Sequence, residues 1–245
     1  MRDPKKSIEN IIKKVKRNEI PPENAWQEIG SVKNDYLNYV RVHHPRIKNP
    51  EQSWRSYVGK RFKNLVYEIA KSYIENIKKN YEHFQKLEIL KDKKLEENDI
   101  LIRKIAVRYD EYLVVPDTDM AIVEYDENNP WQSEVLAMIS CKTSQREKIA
   151  QAWYWKLKFL SSNVTKKIKV YIITTDTDGD FEPKRHEKFY SKKIRNRIIT
   201  EYELDGVYIF REDLTWESHK IKRYEKFFED LTKLLTSSEE FDGNS

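Results

Sequence analysis

The sequence predicts an α/β fold: a central mixed β-sheet flanked by helices, preceded by a helical N-terminal region. Three observations predict it. Apolar residues fall at helical spacing through roughly the first 80 positions. From about residue 100 they gather into short β-like runs. Beyond residue 144, strand-like and helix-like segments alternate.

In chain order, Ile8, Ile11, Ile12 and Val15 mark a first helix that stops between Asn18 and Pro22. Pro22 opens a second segment holding Ala25, Trp26 and Ile29, and the stretch from His43 to Pro50 is a polar break. Trp54, Tyr57, Val58, Phe62, Leu65, Val66, Ile69, Tyr73 and Ile74 then trace a long amphipathic helix from about Glu51 to Glu82. The charge-rich stretch from Lys86 to Glu97 reads as a linker or a frayed helix. Ile100 to Ile102, Ile105 to Val107, and Tyr112 to Val115 read as β-like runs. Met120 to Tyr125 and Val135 to Cys141 are stronger strands, and Asp126-Glu127-Asn128-Asn129-Pro130 between them has hairpin-turn chemistry. A helix is expected over Gln145–Leu160, strands over Val170–Ile173 and Val207–Phe210, a basic helix over Lys184–Arg197, and a closing helix over Tyr224–Leu235. The expected organisation is a helical region over 1–98, an α/β core over 99–236 and a disordered tail over 237–245.

Composition narrows the function. Charged residues make up 36% of the chain with a net charge of +5, which permits a nucleic-acid partner without requiring one. A single cysteine, Cys141, rules out an intrachain disulfide framework and suggests a reducing, cytoplasmic setting. No apolar stretch approaches the roughly 20 residues of a membrane span. Five glycines, with neither GxGxxG nor GxxxxGK[ST], argue against a bound nucleotide cofactor.

The chemistry concentrates in residues 116–144. Pro116-Asp117-Thr118-Asp119 precedes one strand, and Ser140-Cys141-Lys142-Thr143-Ser144 ends its hairpin partner. On a regular strand Asp117 and Asp119 share a face, as do Ser140 and Lys142, with Cys141 opposite. Carboxylates beside an ammonium suit phosphodiester hydrolysis. Asp117 and Asp119, with the backbone carbonyl of Cys141, offer hard oxygens to Mg²⁺, and Lys142 holds the attacking water or stabilises charge developing on the phosphate.

These residues resemble the active site of the PD-(D/E)xK nuclease superfamily, and most closely its serine-variant branch of type II restriction endonucleases, which is NgoMIV- and BsaWI-like. Ser140 stands where other branches carry an acid two places before the lysine. Thr143-Ser144-Gln145-Arg146-Glu147-Lys148 is similar to that branch's K-x-x-x-R-(D/E)-R element. The resemblance implies a restriction-endonuclease-like fold and Mg²⁺-dependent, sequence-specific cleavage of double-stranded DNA by a homodimer. It also implies base reading by Arg146, Glu147 and Lys148, with Thr143 and Ser144 beside them. Arg146 suits guanine O6 and N7, and Glu147 suits cytosine N4, while Lys148 replaces the usual arginine and loses its planar fork. A second departure is that the positions thirteen and fourteen beyond Lys142, where the branch recruits a glutamate, are Trp155 and Lys156. Asp119, Glu147 or Glu68 of the long helix remain to complete the site. The alternatives are a PD-(D/E)xK nuclease of repair or nicking function, or a catalytically inactive DNA-binding module.

Overall fold

The computed structural model describes residues 7–142, 146–176, 179–181 and 192–237. Three N-terminal helices come first: α1 (Ser7–Lys16), α2 (Glu28–His43) and α3 (Pro50–Asn80). The start of α3 is fixed locally. Pro50 occupies the first turn, where its missing N–H costs nothing, and the Asn49 side chain accepts from Gln52 N at 3.0 Å.

The sheet begins earlier than expected. The stretch read as linker or frayed helix forms strand β1 (Leu87–Lys91) and the short helix α4 (Asp92–Glu96). Leu87 and Ile89 are buried, and two apolar side chains on one face suffice once a partner strand is present. The run at Ile100–Ile102 is also corrected, since residues Asp99–Ile105 form helix α5. Asn98 caps it by accepting from Leu101 N at 3.0 Å, which commits the segment to helix. A small antiparallel pair, β2 (Val107–Tyr109) and β3 (Tyr112–Val114), follows.

The main sheet then runs through β4 (Met120–Glu124), β5 (Glu134–Lys142), β6 (Lys169–Thr174), β7 (Gly206–Ile209) and β8 (Ile221–Arg223). Its strand order is β1-β4-β5-β6-β7-β8, antiparallel from β1 to β5 and parallel from there to β8. The β4–β5 connection is closed as its composition predicts. Asp126 accepts from Asn128 N at 2.9 Å and Asn129 N at 3.0 Å, while its own N–H donates to Ser133 Oγ at 2.9 Å. Helices α6 (Arg146–Leu160), α7 (Lys192–Glu203) and α8 (Lys226–Ser237) complete the described chain.

Both faces of the sheet are buried. Met120, Ile122, Ala137, Ile139, Tyr171 and Ile173 pack with α1, α2, α3 and α8. Their strand neighbours Ala121, Val123, Met138, Val170 and Ile172 pack with Leu95, Leu101, Ile105, Ile149 and Phe159 on the other side. Two-sided burial explains why these strands read as near-continuous apolar runs. The N-terminal helices therefore share one core with the sheet and with α8. On α3, Phe62, Leu65, Val66 and Ile69 face inward, and Phe62 meets the Phe210 ring edge-on at 5.0 Å. That packing carries Lys63 to the rim of the sheet.

Candidate active site

The site lies where β4 begins and β5 ends. Antiparallel pairing sets Met120 opposite Ile139, and the ladder extends one step through Asp119 N to Ile139 O at 3.1 Å. Thr118 is buried, and its hydroxyl donates to the carbonyls of Met120 at 3.0 Å and Ile139 at 3.2 Å, locking the chain just before the strand. Asp119 thus lines up with Ala121 on one face of the sheet, and Lys142 with Met138 on the same face.

Asp119 is held from three directions. Its Oδ2 accepts from Cys141 N at 2.7 Å and from Lys142 Nζ at 3.1 Å, and its Oδ1 lies 3.3 Å from Lys63 Nζ. Lys142 is buried, with 8% of its side chain exposed. A lysine so enclosed requires a partner, and Asp119 supplies it. Lys63 bridges Asp119 to Asp92, making a very close contact with Asp92 Oδ2. Asp92 is tied to the same strand end, because its N–H donates to Asp119 O at 3.3 Å while its Oδ1 accepts from Lys93 N at 2.8 Å. Burial works to raise the Asp92 carboxyl, but the Lys63 ammonium and the Lys93 N–H outweigh it and hold the group below the usual carboxylate range. Burial likewise opposes the charge on Lys63, and the two aspartates overcome it, so its ammonium is held above the usual value.

The structure therefore brings Asp119 and Lys142 together, and Asp117 lies exposed just before the strand. β4 starts at Met120, three residues after Asp117, so the same-face argument for a regular strand does not reach it. Glu68 is elsewhere, in an ion pair with Lys16 of α1 at 2.9 Å. The α3 side chain that reaches Asp119 is Lys63. Cys141 meets Asp119 through its N–H, and its thiol packs against the helical core, where burial pushes it well above its ordinary range and Asp119 adds to the shift. Helix α6 starts at Arg146, but the side chains of Arg146, Glu147 and Lys148, and residues Thr143 and Ser144, lie outside the described residues. Of the basic segment from Lys184, Arg197 is buried. It donates to Phe181 O and, at 2.7 Å, to Trp216 O, so it is a structural side chain and not a surface contact.

Asp92 of this cluster escapes the sequence reading, and Lys63 enters it only as a lysine in Gly59-Lys60-Arg61-Phe62-Lys63, where the resembled family carries a glutamate. Lys63 carried a signal, being a lysine next to an inward phenylalanine of the long helix. Asp92 carried none, because nothing local links it to a position 29 residues earlier.

A divalent ion fits the donor set. Mg²⁺ takes one or two carboxylates and completes its shell with water and phosphate oxygens. Asp119 and Asp92 are such a pair, already spanned by one cationic group, and 17% and 39% of their side chains are exposed. Among the described residues no group of three or more His, Cys, Asp and Glu gathers to enclose an ion, as a structural metal centre would. Among the same residues no helix is long and apolar enough to cross a membrane.

Comparison with known proteins agrees with this chemistry. The chain is 35% identical over 206 residues to a Methanocaldococcus jannaschii protein provisionally described as the type II restriction enzyme MjaVIP, spanning 82% of this chain and 84% of that one. It is 35% identical over 156 residues to a Helicobacter pylori protein described with similar reserve as the type II restriction enzyme HpyAORF263P, spanning 63% and 77%. The solved complex of restriction endonuclease PspGI with substrate DNA superposes with a TM-score of 0.49 at 14% identity over 97% of this chain and 94% of that one, too loose to argue from. The profile of the family described as BsaWI restriction endonuclease type 2 matches residues 86–230, from the strand before Asp92 to the last helix, and the chain belongs to that family of type II restriction endonucleases.

Proposed function

We propose that this chain is a Mg²⁺-dependent endonuclease that cuts double-stranded DNA at a specific sequence, acting as a homodimer in the cytoplasm without a nucleotide cofactor. The observation that carries the reading is the Asp119–Lys142 pair, an enclosed ammonium at 3.1 Å from a carboxylate that retains access to solvent. Asp119 would hold a divalent ion, which when bound would supply Lewis-acid charge at the scissile phosphate, and Cys141 N fixes the orientation of that carboxylate. Lys142 orients the attacking water or balances negative charge accumulating on the phosphate. Its burial keeps the ammonium in one place, which is what preorganised electrostatic stabilisation requires.

Base readout is assigned to Arg146, Glu147 and Lys148, with Thr143 and Ser144 alongside. In support, α6 starts four residues after Lys142, so the reading turn follows directly from the strand that carries the lysine. A homodimer would place one such site on each strand of a palindrome.

Plasmid cleavage in Mg²⁺ tests the reading. Wild-type protein is expected to give discrete fragments whose ends map by run-off sequencing to one sequence. Lys142→Ala is expected to abolish cleavage while DNA affinity in Ca²⁺ stays within about tenfold. Random degradation would point to a general nuclease and binding without cleavage to an inactive module. Normal turnover by Lys142→Ala would refute the assignment.

A further inference from the structure

The nuclease chemistry above uses Asp119 and Lys142, and leaves Lys63 and Asp92 without a task. Their arrangement is specific. The Lys63 ammonium lies between Asp92 Oδ2 and Asp119 Oδ1, and Lys142 takes the other oxygen of Asp119. The cluster is two ammonium groups against two carboxylates, balanced with no ion present. A divalent cation entering it meets two positive charges on the one carboxylate it needs. One of the three has to give way.

Lys142 is the poorer candidate to move. It is the last residue of β5, its side chain is buried, and Asp119 Oδ2 is also pinned by Cys141 N. Lys63 projects from the rim of α3 with a third of its side chain exposed. Its flexible stem can carry the ammonium out to solvent, or to a phosphate, without unpacking Phe62 or Leu65. When it leaves, the oxygens it bridged belong to two carboxylates whose backbones are already joined by the Asp92 N–H to Asp119 carbonyl hydrogen bond.

We propose that Asp92 is the second carboxylate of the divalent-ion site and that Lys63 is a resident cation which competes with the ion for Asp92 and Asp119. The inference rests on the nuclease reading of Asp119 and Lys142. It makes the ion's affinity a contest between two cations for one pair of acids. Asp92 then fills the place for which the sequence offered Glu68 or Glu147. A purely structural ion pair between α3 and the start of α4 would behave differently, because removing its lysine would loosen both acids and give the ion nothing.

Mn²⁺ binding to the full chain without DNA, followed by the electron paramagnetic resonance signal of free Mn²⁺, separates these. Lys63→Met keeps the apolar stem and removes the charge, and is expected to tighten binding about tenfold. Asp92→Asn is expected to weaken it about tenfold, and Asp119→Asn to remove it. Thermal melting checks that each variant is folded, and Lys63→Gln and Asp92→Ser are read in the same way should the first pair fail to fold. If Asp119→Asn removes binding while Asp92→Asn stays within about twofold of wild type, or Lys63→Met does not tighten binding, the inference falls and the nuclease site stands. If Asp119→Asn binds Mn²⁺ as wild type does, the site reading falls, and the inference with it.

Discussion

Asp119 and Asp176 are both carboxylates at strand ends facing basic side chains, yet one is open and the other sealed. Asp119 precedes β4, and of the groups around it Lys63 and Asp92 reach solvent with 33% and 39% of their side chains. Asp176 follows β6, is fully buried, and pairs with Arg211 at 3.2 Å. Its Oδ1 accepts from Asp180 N at 2.8 Å and Phe181 N at 3.4 Å, and its backbone sits at φ 43°, in the left-handed region. It lines a cavity of about 610 Å³ with Trp26, Trp54, Phe210 and Arg211. A charge pair by itself therefore does not mark a site. What differs is whether the partners can be exchanged for a ligand, and the cluster around Asp119 includes a lysine and an aspartate more exposed than the arginine that holds Asp176.

The largest effect that follows is on catalysis. Asp119→Asn is expected to lower the plasmid cleavage rate by about a thousandfold or more, and to cost about 1–3 kcal/mol of stability because buried Lys142 loses its counter-charge. A loss of stability as large as the loss of activity would put Asp119 on the structural side of the comparison. The mirror image is Arg211→Met. Removing one member of a buried pair leaves Asp176 uncompensated, which costs about 3 kcal/mol in chemical denaturation, while cleavage per folded molecule changes by no more than about threefold. A variant that melts normally but cannot cut would move Arg211 into the functional group.

The comparison also explains what was legible. Strands β4 and β5 could be read because apolar runs flank a turn whose chemistry, Asp126 with Asn128 and Asn129, is local. Lys142 could be read because a lysine ending an apolar strand has few other reasons to be there. Helix α5 could not, since short apolar runs serve helix or strand equally. Its one local signal was Asn98 as a cap. Asp92 was hidden for a different reason. Its role exists only once α3 lies across the start of β4, and contacts between distant segments leave no periodicity in the chain. Asp176 opens the acidic stretch Asp176-Thr177-Asp178-Gly179-Asp180, and the fold uses its carboxylate to tie the backbone N–H groups of Asp180 and Phe181.

Titration sharpens the contrast. Burial pushes the Asp176 carboxyl from an ordinary 3.8 up to about 6, against the pull of Arg211. The folded state then binds this proton more tightly than the unfolded chain. Its contribution to stability is present in full at low pH and is lost as the pH rises from about 4 through 6. Asp176→Asn cannot titrate, and its amide oxygen still accepts from Asp180 N and Phe181 N. The stability of wild type relative to this variant is therefore expected to fall by on the order of 2–3 kcal/mol between pH 4 and pH 7, read from denaturant unfolding at each pH. A difference independent of pH would show that Asp176 stays ionised throughout, with Arg211 outweighing burial.

The smallest expected effect discriminates most finely, because it sets two aspartates of one tetrapeptide against each other. Asp117 and Asp119 are indistinguishable by residue type and by parity, and a regular strand would have aimed both at the ion. The chain is regular only from Met120, and the Thr118 hydroxyl turns it into the ladder by reaching the carbonyls of Met120 and Ile139. Asp119 enters the sheet and Asp117 stays exposed before it. Asp117→Asn removes one exposed charge two residues before the ladder begins, so cleavage is expected to stay within about threefold of wild type and stability within about 0.5 kcal/mol. Should Asp117→Asn match Asp119→Asn in its loss of activity, the segment before β4 must rearrange when DNA binds. The open cluster around Asp119 would then be the resting form of a site that closes with both carboxylates inside.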